Sequence, residues 1–430
     1  MTSPRRFEQD VPALLADLYL AGTPDYRDDL VRQVRAVRQR PAWTFPGRWI
    51  PMELTTARVP TTRLPMRQLG VLALLAILVA ALFAAYIGTH QQKLPPPFGP
   101  AANGLIAYSK DGDIFTVDPK TGAAKAVVAG PENDLDPEFS PDGTKIDFAR
   151  ERGKTGTFDL AVANADGSAA RVVTTEPLPE DASAQFTPDS TAIVASGQSG
   201  IQRIDLTGAE PPTNIALGRY VAGTIRATDG AILFENDDDP GIDLWVMNAD
   251  GSNKRLLWDT GLDGDYQDLQ QYRWSPDGTK IAYTCSDAMT HAGSYICLMN
   301  EDGSNRHKLT DEGAAWYETD FKWSPDGKSI AFDRWHQANG STGYLVSAIG
   351  VVSVDGGAVR SVGDDPSNDG ALFDWSPDGK LILSLPAHFL HSPVGADPFK
   401  PIAIDVATGT QTSTDFDIYS NVSWQRVATN

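Results

Sequence analysis

Apolar and polar residues alternate in short runs along residues 103–430, and tight-turn residues separate one run from the next. The run RWSPDGTKIAYTC at 273–285 returns as KWSPDGKSIAFDR at 322 and as DWSPDGKLILSL at 374. Three weaker copies have the residue before their turn at 139, 186 and 226, and the three runs above have it at Trp274, Trp323 and Trp375. Successive copies are therefore 47, 40, 48, 49 and 52 residues apart. A side-chain period of two predicts β-strands, and a repeat of this length predicts a recurring unit of several strands.

The SPDG phrase predicts a tight turn between two strands of each unit. Pro276 sets φ to about −65°, Asp277 can bond back to the backbone, and Gly278 accepts a positive φ. The run KIAY then leaves the turn as a strand whose side chains alternate between the two faces. We expect the aromatic residue before each turn to pack between neighbouring sheets, because a sheet covered on both faces needs bulky filler.

The two ends of the repeat region complement each other. GLIAYSKDGDIFTVDPKTG at 104–122 has the later strands of a unit without the first, and SNVSWQRV at 420–427 has a first strand with nothing after it. Joining them predicts one sheet in which Trp424 lies beside Ile106, which removes the open edge of the array. This gives seven units, or six if the weak copy at 226 does not form one.

The phrase W/F-SPDG-x-KIAF, followed by an apolar strand and an NADGS turn, resembles the TolB-type (WD40-like) β-propeller repeat. The resemblance covers residues 103–430 and implies an all-β fold, a seven-bladed β-propeller with six blades as the alternative. It implies little about function, because propellers of this kind mostly bind partners and serve many pathways. The chain departs from TolB in its predicted membrane segment and in its seven units where TolB has six blades, so the partners of TolB are not carried over.

One segment of the chain is apolar on all sides. LGVLALLAILVAALFAAYIG at 69–88 has 20 residues and no charge. As a helix it is about 30 Å long, the thickness of the hydrocarbon core of a bilayer. A buried helix of a soluble protein usually keeps a polar face, so this pattern predicts a single transmembrane helix at 69–89 that contacts the lipid bilayer.

Charged residues beside this segment predict its orientation. Three arginines precede it closely, and only Lys93 follows it before Lys110. The arginines are Arg58, Arg63 and Arg67. The positive-inside rule therefore predicts a cytoplasmic segment at 1–68 and an extracytoplasmic domain at 103–430, in the cell membrane of a bacterium. Residues 90–102, which include KLPPPFGP, are then a stiff Pro-rich linker.

The predicted cytoplasmic segment, 1–68, contains two helical patterns. FEQDVPALLADLYL reads as an amphipathic helix, and TPDYRDDLVRQVRAVRQRP reads as a second, with Thr23 as N-cap and Pro24 at its first position. A helical segment, one span and an external domain share the layout of a membrane anti-sigma factor, which suggests a signal transducer. A basic segment that only sets topology and contacts anionic lipid is the alternative.

Charge is distributed unevenly along the chain. The formal net charge is −20. Residues 1–68 hold 11 basic and 7 acidic residues, whereas residues 103–430 hold 24 basic and 49 acidic residues. The acidic domain at 103–430 is therefore not expected to bind nucleic acid, because phosphate contacts rely on clusters of Lys and Arg.

Long, varied loops are expected at one end of the propeller and short SPDG and NADGS turns at the other. Binding residues concentrate on loops held by a rigid scaffold, so the loop-rich end is the predicted site for a protein, peptide or glycan partner. Carboxylates and aromatic rings there suit a cationic or sugar-like ligand, and a solvated acidic rim is the alternative. The candidate residues are Asp134, Asp136, Asp238, Trp316, Tyr317, Glu318, Asp320, Trp335, His336, His388 and Phe389.

No cofactor is expected, and enzymatic activity is not expected either. The chain lacks a Gly-x-Ser-x-Gly elbow and the α/β domain that a serine hydrolase needs. A metal-dependent propeller hydrolase remains an alternative without a matching set of residues. Asp263, Asp265 and Asp268 offer oxygen ligands for calcium, but they lack the spacing of an EF-hand and are interpreted first as an ordinary acidic loop.

The chain has two cysteines, Cys285 and Cys297, which fall on consecutive predicted strands. An oxidising compartment outside the membrane would permit a disulfide between them. Two buried thiols that fill a strand face are the alternative. The sequence favours the bond slightly.

Overall fold

The computed structural model describes residues 94–429 except 97, 154, 175, 179–182, 198–199, 219, 237–242, 260–270, 287–292, 312–315, 338–344, 363–370, 386–399 and 419–420. Contacts divide the chain into two compact units, 1–91 and 92–430, and every described residue belongs to the second. Within the described residues, no helix is long and apolar enough to cross a bilayer. The predicted helices of 1–68 and the predicted span at 69–89 lie outside these residues.

All regular elements of the described part are β-strands. The first half contains β1 (Ala102–Lys110), β2 (Asp113–Val117), β3 (Ala124–Val128), β4 (Asp134–Phe139), β5 (Lys145–Glu151), β6 (Phe158–Asn164), β7 (Arg171–Val172), β8 (Ala184–Phe186), β9 (Ala192–Gly197), β10 (Gly200–Asp205), β11 (Thr213–Leu217), β12 (Tyr220–Ile225), β13 (Ile232–Asn236) and β14 (Asp243–Met247). The second half contains β15 (Arg255–Trp258), β16 (Tyr272–Trp274), β17 (Lys280–Ser286), β18 (Ser294–Asn300), β19 (His307–Lys308), β20 (Tyr317–Trp323), β21 (Ser329–Gln337), β22 (Leu345–Ser353), β23 (Arg360–Val362), β24 (Ala371–Trp375), β25 (Leu381–Leu385), β26 (Ile402–Asp405), β27 (Gln411–Ser413) and β28 (Val422–Val427).

Strands that are consecutive in the chain form antiparallel sheets. Four sheets have four consecutive strands each: β4–β7, β8–β11, β12–β15 and β24–β27. An eight-stranded sheet contains β16–β19 and β20–β23, joined by a single parallel pair between Ser294 and Tyr317. The weak sequence copy at 226 therefore belongs to a four-stranded sheet, β12–β15.

The last strand of the chain completes the first sheet. β28 pairs antiparallel with β1 in the order β28-β1-β2-β3, and Trp424 lies opposite Ile106. This is the pairing that the sequence predicts. Side chains of β28 also bind the next sheet, because the N–H of Phe139 donates to Ser423 Oγ at 3.0 Å and Gln425 Nε2 donates to the carbonyl of Gly143 at 2.8 Å.

The register between first and second strands is the same throughout the described sheets. We call the residue before each SPDG-type turn, and its equivalent Trp424 in β28, the anchor. The anchor, usually Trp or Phe, lies opposite an isoleucine. The pairs are Phe139–Ile146, Phe186–Ile193, Ile225–Ile232, Trp274–Ile281, Trp323–Ile330, Trp375–Ile382 and Trp424–Ile106. In the weak copy the anchor position is thus Ile225, next to Arg226, whose guanidinium lies 4.8 Å from the ring of Trp274.

The aromatic anchors pack between sheets, as the sequence predicts. Trp274 shares a core cluster with Leu233 and Leu244 of the preceding sheet, and Trp424 shares one with Leu383. Burying a side chain of this size stabilises the fold by roughly 3 kcal/mol or more. Some anchors also form a hydrogen bond to the first strand of the preceding unit: Trp323 Nε1 donates to the carbonyl oxygen of Arg273 at 3.2 Å.

The SPDG turns have the predicted conformation. Gly278 has φ of 72°, and Ser190, which replaces glycine in the copy at 186, adopts 57°. In the turn at 275–278, the N–H of Gly278 donates to the carbonyl of Ser275 at 2.8 Å, and Ser275 Oγ donates to Asp277 Oδ1 at 2.6 Å. Proline, aspartate and glycine therefore act here as their backbone chemistry predicts.

Cys285 and Cys297 form a disulfide with Cα atoms 6.1 Å apart. They lie diagonally across the β17–β18 pair, since Tyr283 is opposite Cys297 and Cys285 is opposite Tyr295. Both cysteines are 2% exposed.

Reducing this disulfide is expected to lower the free energy of unfolding by about 3 kcal/mol, because the bond closes a short loop in the unfolded chain. Urea unfolding of the full-length protein with and without reductant measures the difference. A Cys285→Ala/Cys297→Ala double variant serves as control and should not respond to reductant. An unchanged unfolding midpoint of the wild-type protein under reduction would contradict the expectation.

Candidate functional site

A cavity of about 660 Å³ lies where the first strands of several sheets converge. Gln271 and Asn421, each directly before a first strand, and Asp136 and Asp320, within β4 and β20, line one end of it. In each unit the long connections lead into the first strand and the SPDG turn leaves it. The cavity therefore lies toward the loop-rich end of the fold.

A second cavity, of about 360 Å³, lies at the opposite, SPDG end. Turn prolines from five repeats line it together with Phe98 and Gly99 of the linker. The prolines are Pro141, Pro188, Pro276, Pro325 and Pro377. Arg426 Nη2 donates to the carbonyl of Gly99 at 2.6 Å, which holds the linker against this end.

The residue just before the anchor projects toward the centre in six of the seven first strands of the described part. Because side chains alternate along a strand, this residue faces away from the sheet core that holds the anchor. Six of these positions line one or both cavities: Glu138, Gln185, Arg273, Lys322, Asp374 and Ser423. The centre is thus surrounded by polar side chains, and four of the six are charged.

Asp147 breaks the pattern of the repeats. The residue opposite each of these central positions is small or apolar in the other sheets: Ala107, Val194, Leu233, Ala282, Ala331 and Leu383. In the β4–β5 pair it is Asp147, directly opposite Glu138. Both carboxylates line the larger cavity. Asp147 is only 4% exposed, whereas Glu138 is exposed.

Loss of hydration and nearby negative charge disfavour ionisation of both carboxylates. Burial raises the pKa of Asp147 well above its usual range, and the nearby charge of Glu138 raises it further. Partial loss of hydration raises the pKa of Glu138, and Asp374 raises it further, whereas Lys322 and Arg273 lower it. Like charges directly opposite each other on neighbouring strands destabilise a sheet. The pair therefore holds its full negative charge only at an energetic cost.

The larger cavity is acidic overall. Six carboxylates and two cations are among the described residues that line it, so its formal charge is −4 when all are ionised. The carboxylates are Asp136, Glu138, Asp147, Asp320, Asp333 and Asp374, and the cations are Arg273 and Lys322. Lys322 Nζ lies 3.7 Å from Asp374 Oδ1, so one of the two cations already has a carboxylate partner. A cavity with this balance attracts positively charged groups.

Two of the residues predicted from the sequence lie at this cavity. Asp136 Oδ1 accepts a hydrogen bond from Asn421 at 3.3 Å, and Asp320 Oδ1 accepts one from Gln271 at 2.5 Å. Both aspartates have positive φ, 52° and 46°. Each aspartate lies at a shift of register within its strand, so β4 and β20 are irregular where they approach the cavity.

Two other predicted carboxylates make structural contacts. Asp134, 2% exposed, accepts two hydrogen bonds from the guanidinium of Arg150, each 2.8 Å long. Glu318, 1% exposed, accepts hydrogen bonds from Thr310 Oγ1 and from the N–H of Ile296. These bonds hold strands together within a sheet and across the β18–β20 junction.

The predicted aromatic residues form two stacks at the start of β20. Tyr317 and Trp335 lie parallel with ring centroids 4.2 Å apart, and the guanidinium of Arg334 lies 3.9 Å from the ring of Trp316. Within the described lining of the larger cavity, none of these side chains takes part. His336 lies in β21 opposite Val346.

The remaining predicted site residues lie outside the described residues. They are Asp238, Asp263, Asp265, Asp268, His388 and Phe389. Among the positions that the structure describes, no group of three or more His, Cys, Asp or Glu side chains is arranged to hold a metal ion.

The prediction from sequence placed the site on the loops and did not include the central residues Glu138 and Asp147. A signal was nevertheless present: the copy at 139 reads KIDF where the strong copies read KIAY and SIAF, which marks Asp147. The residue before each anchor is polar in every copy, as in Glu138, Arg273 and Lys322. Aligning the repeats position by position identifies both features.

Comparison with known proteins supports the fold. No protein-family model and no curated protein match the chain. A structure of oligogalacturonate lyase in complex with manganese matches with 15% identity, 74% of this chain and 85% of that chain covered, and a TM-score of 0.52. The β-propeller domain of the Trilobed protease from Pyrococcus furiosus matches with 13% identity, coverages of 75% and 98%, and a TM-score of 0.51. TolB from Acinetobacter baumannii matches with 15% identity, coverages of 76% and 81%, and a TM-score of 0.46.

At these identities the likeness extends to the fold alone. The two matches with TM-scores above 0.5 cover about three-quarters of the chain, which corresponds to the repeat region. They agree with the all-β sheets and the converging first strands of the structure. The described part of the chain is a β-propeller.

Proposed function

We propose that the protein is a single-pass membrane protein whose seven-bladed propeller binds a protein, peptide or glycan partner outside the cytoplasm. The partner enters the larger cavity from the loop-rich end. The β16–β19 and β20–β23 halves of the eight-stranded sheet count as two of the seven blades, and residues 1–68 lie in the cytoplasm. The propeller acts as a binding or sensing module.

The observation that carries this proposal is the larger cavity itself. Its volume of about 660 Å³ lies in the range of small-ligand sites. Side chains from six first strands line it, so a bound group would contact several sheets at once. The linker lies at the opposite end, where Phe98 and Gly99 line the smaller cavity. A partner approaching the loop-rich end would therefore not meet the linker.

Site-specific photocrosslinking in intact cells tests the proposal. We expect a photoreactive phenylalanine derivative at Asp320, in the mouth, to give a discrete adduct. The matched control is the same derivative at Lys328, which is exposed at the SPDG end. The adduct should be absent there, and protease added to intact cells should release the part of the protein that carries it. Equal adducts at both positions, or an adduct protected from external protease, would overturn the proposal.

A further inference from the structure

We propose that Glu138 and Asp147 form a subsite for an organic cation, an ammonium or guanidinium group such as a lysine or arginine side chain or a polyamine carries. The inference rests on the proposed function, since it names the group that the larger cavity recognises. It starts from one juxtaposition: two carboxylates directly opposite each other on β4 and β5, both lining that cavity.

The propeller architecture does not require a carboxylate at position 147. In the six other pairs of a first and a second strand in the described part, the equivalent position is Ala, Val or Leu. It is buried there, as Asp147 is. Alanine occupies it at Ala107, Ala282 and Ala331. A buried acid where packing accepts alanine is a local conflict, and such conflicts concentrate at functional sites.

The two carboxylates have no cation of their own. Within the described residues, neither Glu138 nor Asp147 forms an ion pair or a side-chain hydrogen bond with Lys or Arg. Lys322 and Arg273 lower the pKa of Glu138 through space, without a hydrogen bond to it. A cation from outside that lies between the two carboxylates would replace their repulsion by two charge-assisted hydrogen bonds.

An organic cation fits this pair better than a metal ion. An ammonium group has three N–H donors and a guanidinium group has five, and two carboxylates offer four acceptor oxygens, whereas calcium takes six to eight oxygen ligands. No described group of three or more acidic, His or Cys side chains is placed for a metal. The formal charge of the lining adds a long-range attraction for positive ligands.

Titration of the full-length protein in lipid nanodiscs tests the subsite. The two probes are spermidine and an N-acetylated, C-amidated trilysine peptide, measured by calorimetry at low ionic strength. We expect saturable binding of at least one probe, weakened tenfold or more by Asp147→Asn and by Glu138→Gln. Asp355→Asn is the matched control, because Asp355 is exposed at an NADGS-type turn and the charge change is the same. It should change affinity less than twofold.

The two probes distinguish the sources of the cation. Binding of spermidine alone indicates a free polyamine, binding of the peptide alone indicates a side chain of a protein partner, and both outcomes support the subsite. Absence of saturable binding to wild-type protein overturns the inference. So does an Asp147→Asn variant that binds as tightly as wild type, or a loss of affinity in Asp355→Asn equal to the loss in Asp147→Asn.

Failure of this inference can be told apart from failure of the proposed function. If the adduct at position 320 forms while neither probe binds, the propeller binds a partner without using the subsite. If the probes bind and no adduct forms at position 320, the subsite exists and the loop-rich mouth is not the entrance for a macromolecular partner.

Discussion

Deleting residues 421–430 is expected to abolish cooperative folding of the propeller. The deletion removes β28, and with it the buried side chains of Val422 and Trp424. It also removes Ser423, which bonds the next sheet, and Arg426, which binds the linker. The lost burial alone is worth roughly 5 kcal/mol or more, which is comparable with the whole stability of a typical domain.

The unpaired edge adds to this effect. Without β28, the strand β1 presents a row of unsatisfied N–H and C=O groups to solvent, which promotes aggregation. Differential scanning calorimetry and near-ultraviolet circular dichroism measure the loss of the cooperative transition. Deleting 428–430 alone is the matched control, because these residues follow β28 and their removal should leave the transition intact. A cooperative transition of normal enthalpy in the 421–430 deletion would show that closure by the last strand is not needed.

Asp147→Ala is expected to stabilise the protein by roughly 1–3 kcal/mol at neutral pH, because replacing buried charge by an apolar residue is often favourable. The substitution installs the residue that β1, β17 and β21 carry at the equivalent position. It also relieves the repulsion on Glu138. If Asp147 served the structure, its replacement would instead lower the free energy of unfolding. The sign of this stability change therefore separates a functional role from a structural one.

The gain from Asp147→Ala should depend on pH. The pKa of Asp147 is raised in the folded state, so the native protein binds more protons than the unfolded chain at pH values between the two pKas. Stability of the wild type therefore falls as pH rises above about 4, the usual pKa of an aspartate, toward the raised folded value. The variant lacks this contribution, so its advantage is smallest in acid and grows toward neutral pH.

Groups around Asp147 modify this profile. Glu138 titrates with the same sign because its pKa is also raised, whereas Lys322 and Arg273 favour its ionised form and Asp374 opposes them. Urea unfolding of wild type, Asp147→Ala and the control Asp355→Asn across pH measures the difference. A gain in Asp147→Ala that is constant with pH, or a loss of stability at neutral pH, would contradict the expectation.

Sequence reasoning succeeded where the determinants are local. The SPDG turns, the strand that follows each, and the packing position of the aromatic anchors all depend on residues within about ten positions of one another. Even the long-range pairing of Trp424 with Ile106 was predictable, because an incomplete first unit and an incomplete last unit have one complementary solution. The weak copy at 226 forms its sheet with Ile225 as anchor, a shift of one residue that the loss of the aromatic concealed.

The candidate site was predicted less well, for a physical reason. Carboxylates such as Asp134 and Glu318 look alike in a loop-rich sequence, and only their contacts with Arg150 and Thr310 show that they serve the structure. Conversely, Glu138 lies in a strand. Alignment of the repeats shows that its position is polar in every copy, but only the placement of the strands around a common centre shows that six of these residues face one cavity.

The amino-acid sequence by itself determined the repeat, the turns, the alternation of strand faces and the closure of the first sheet by the last strand. These follow from backbone chemistry and from a side-chain period of two, and both depend on residues that are close in the sequence. Only the tertiary structure decided which charges meet, because first strands some 40–50 residues apart converge on one cavity. The pairing of Glu138 with Asp147 thus has its local cause in β-sheet register, whereas its setting among Arg273, Lys322 and Asp374 arises from the packing of separate sheets.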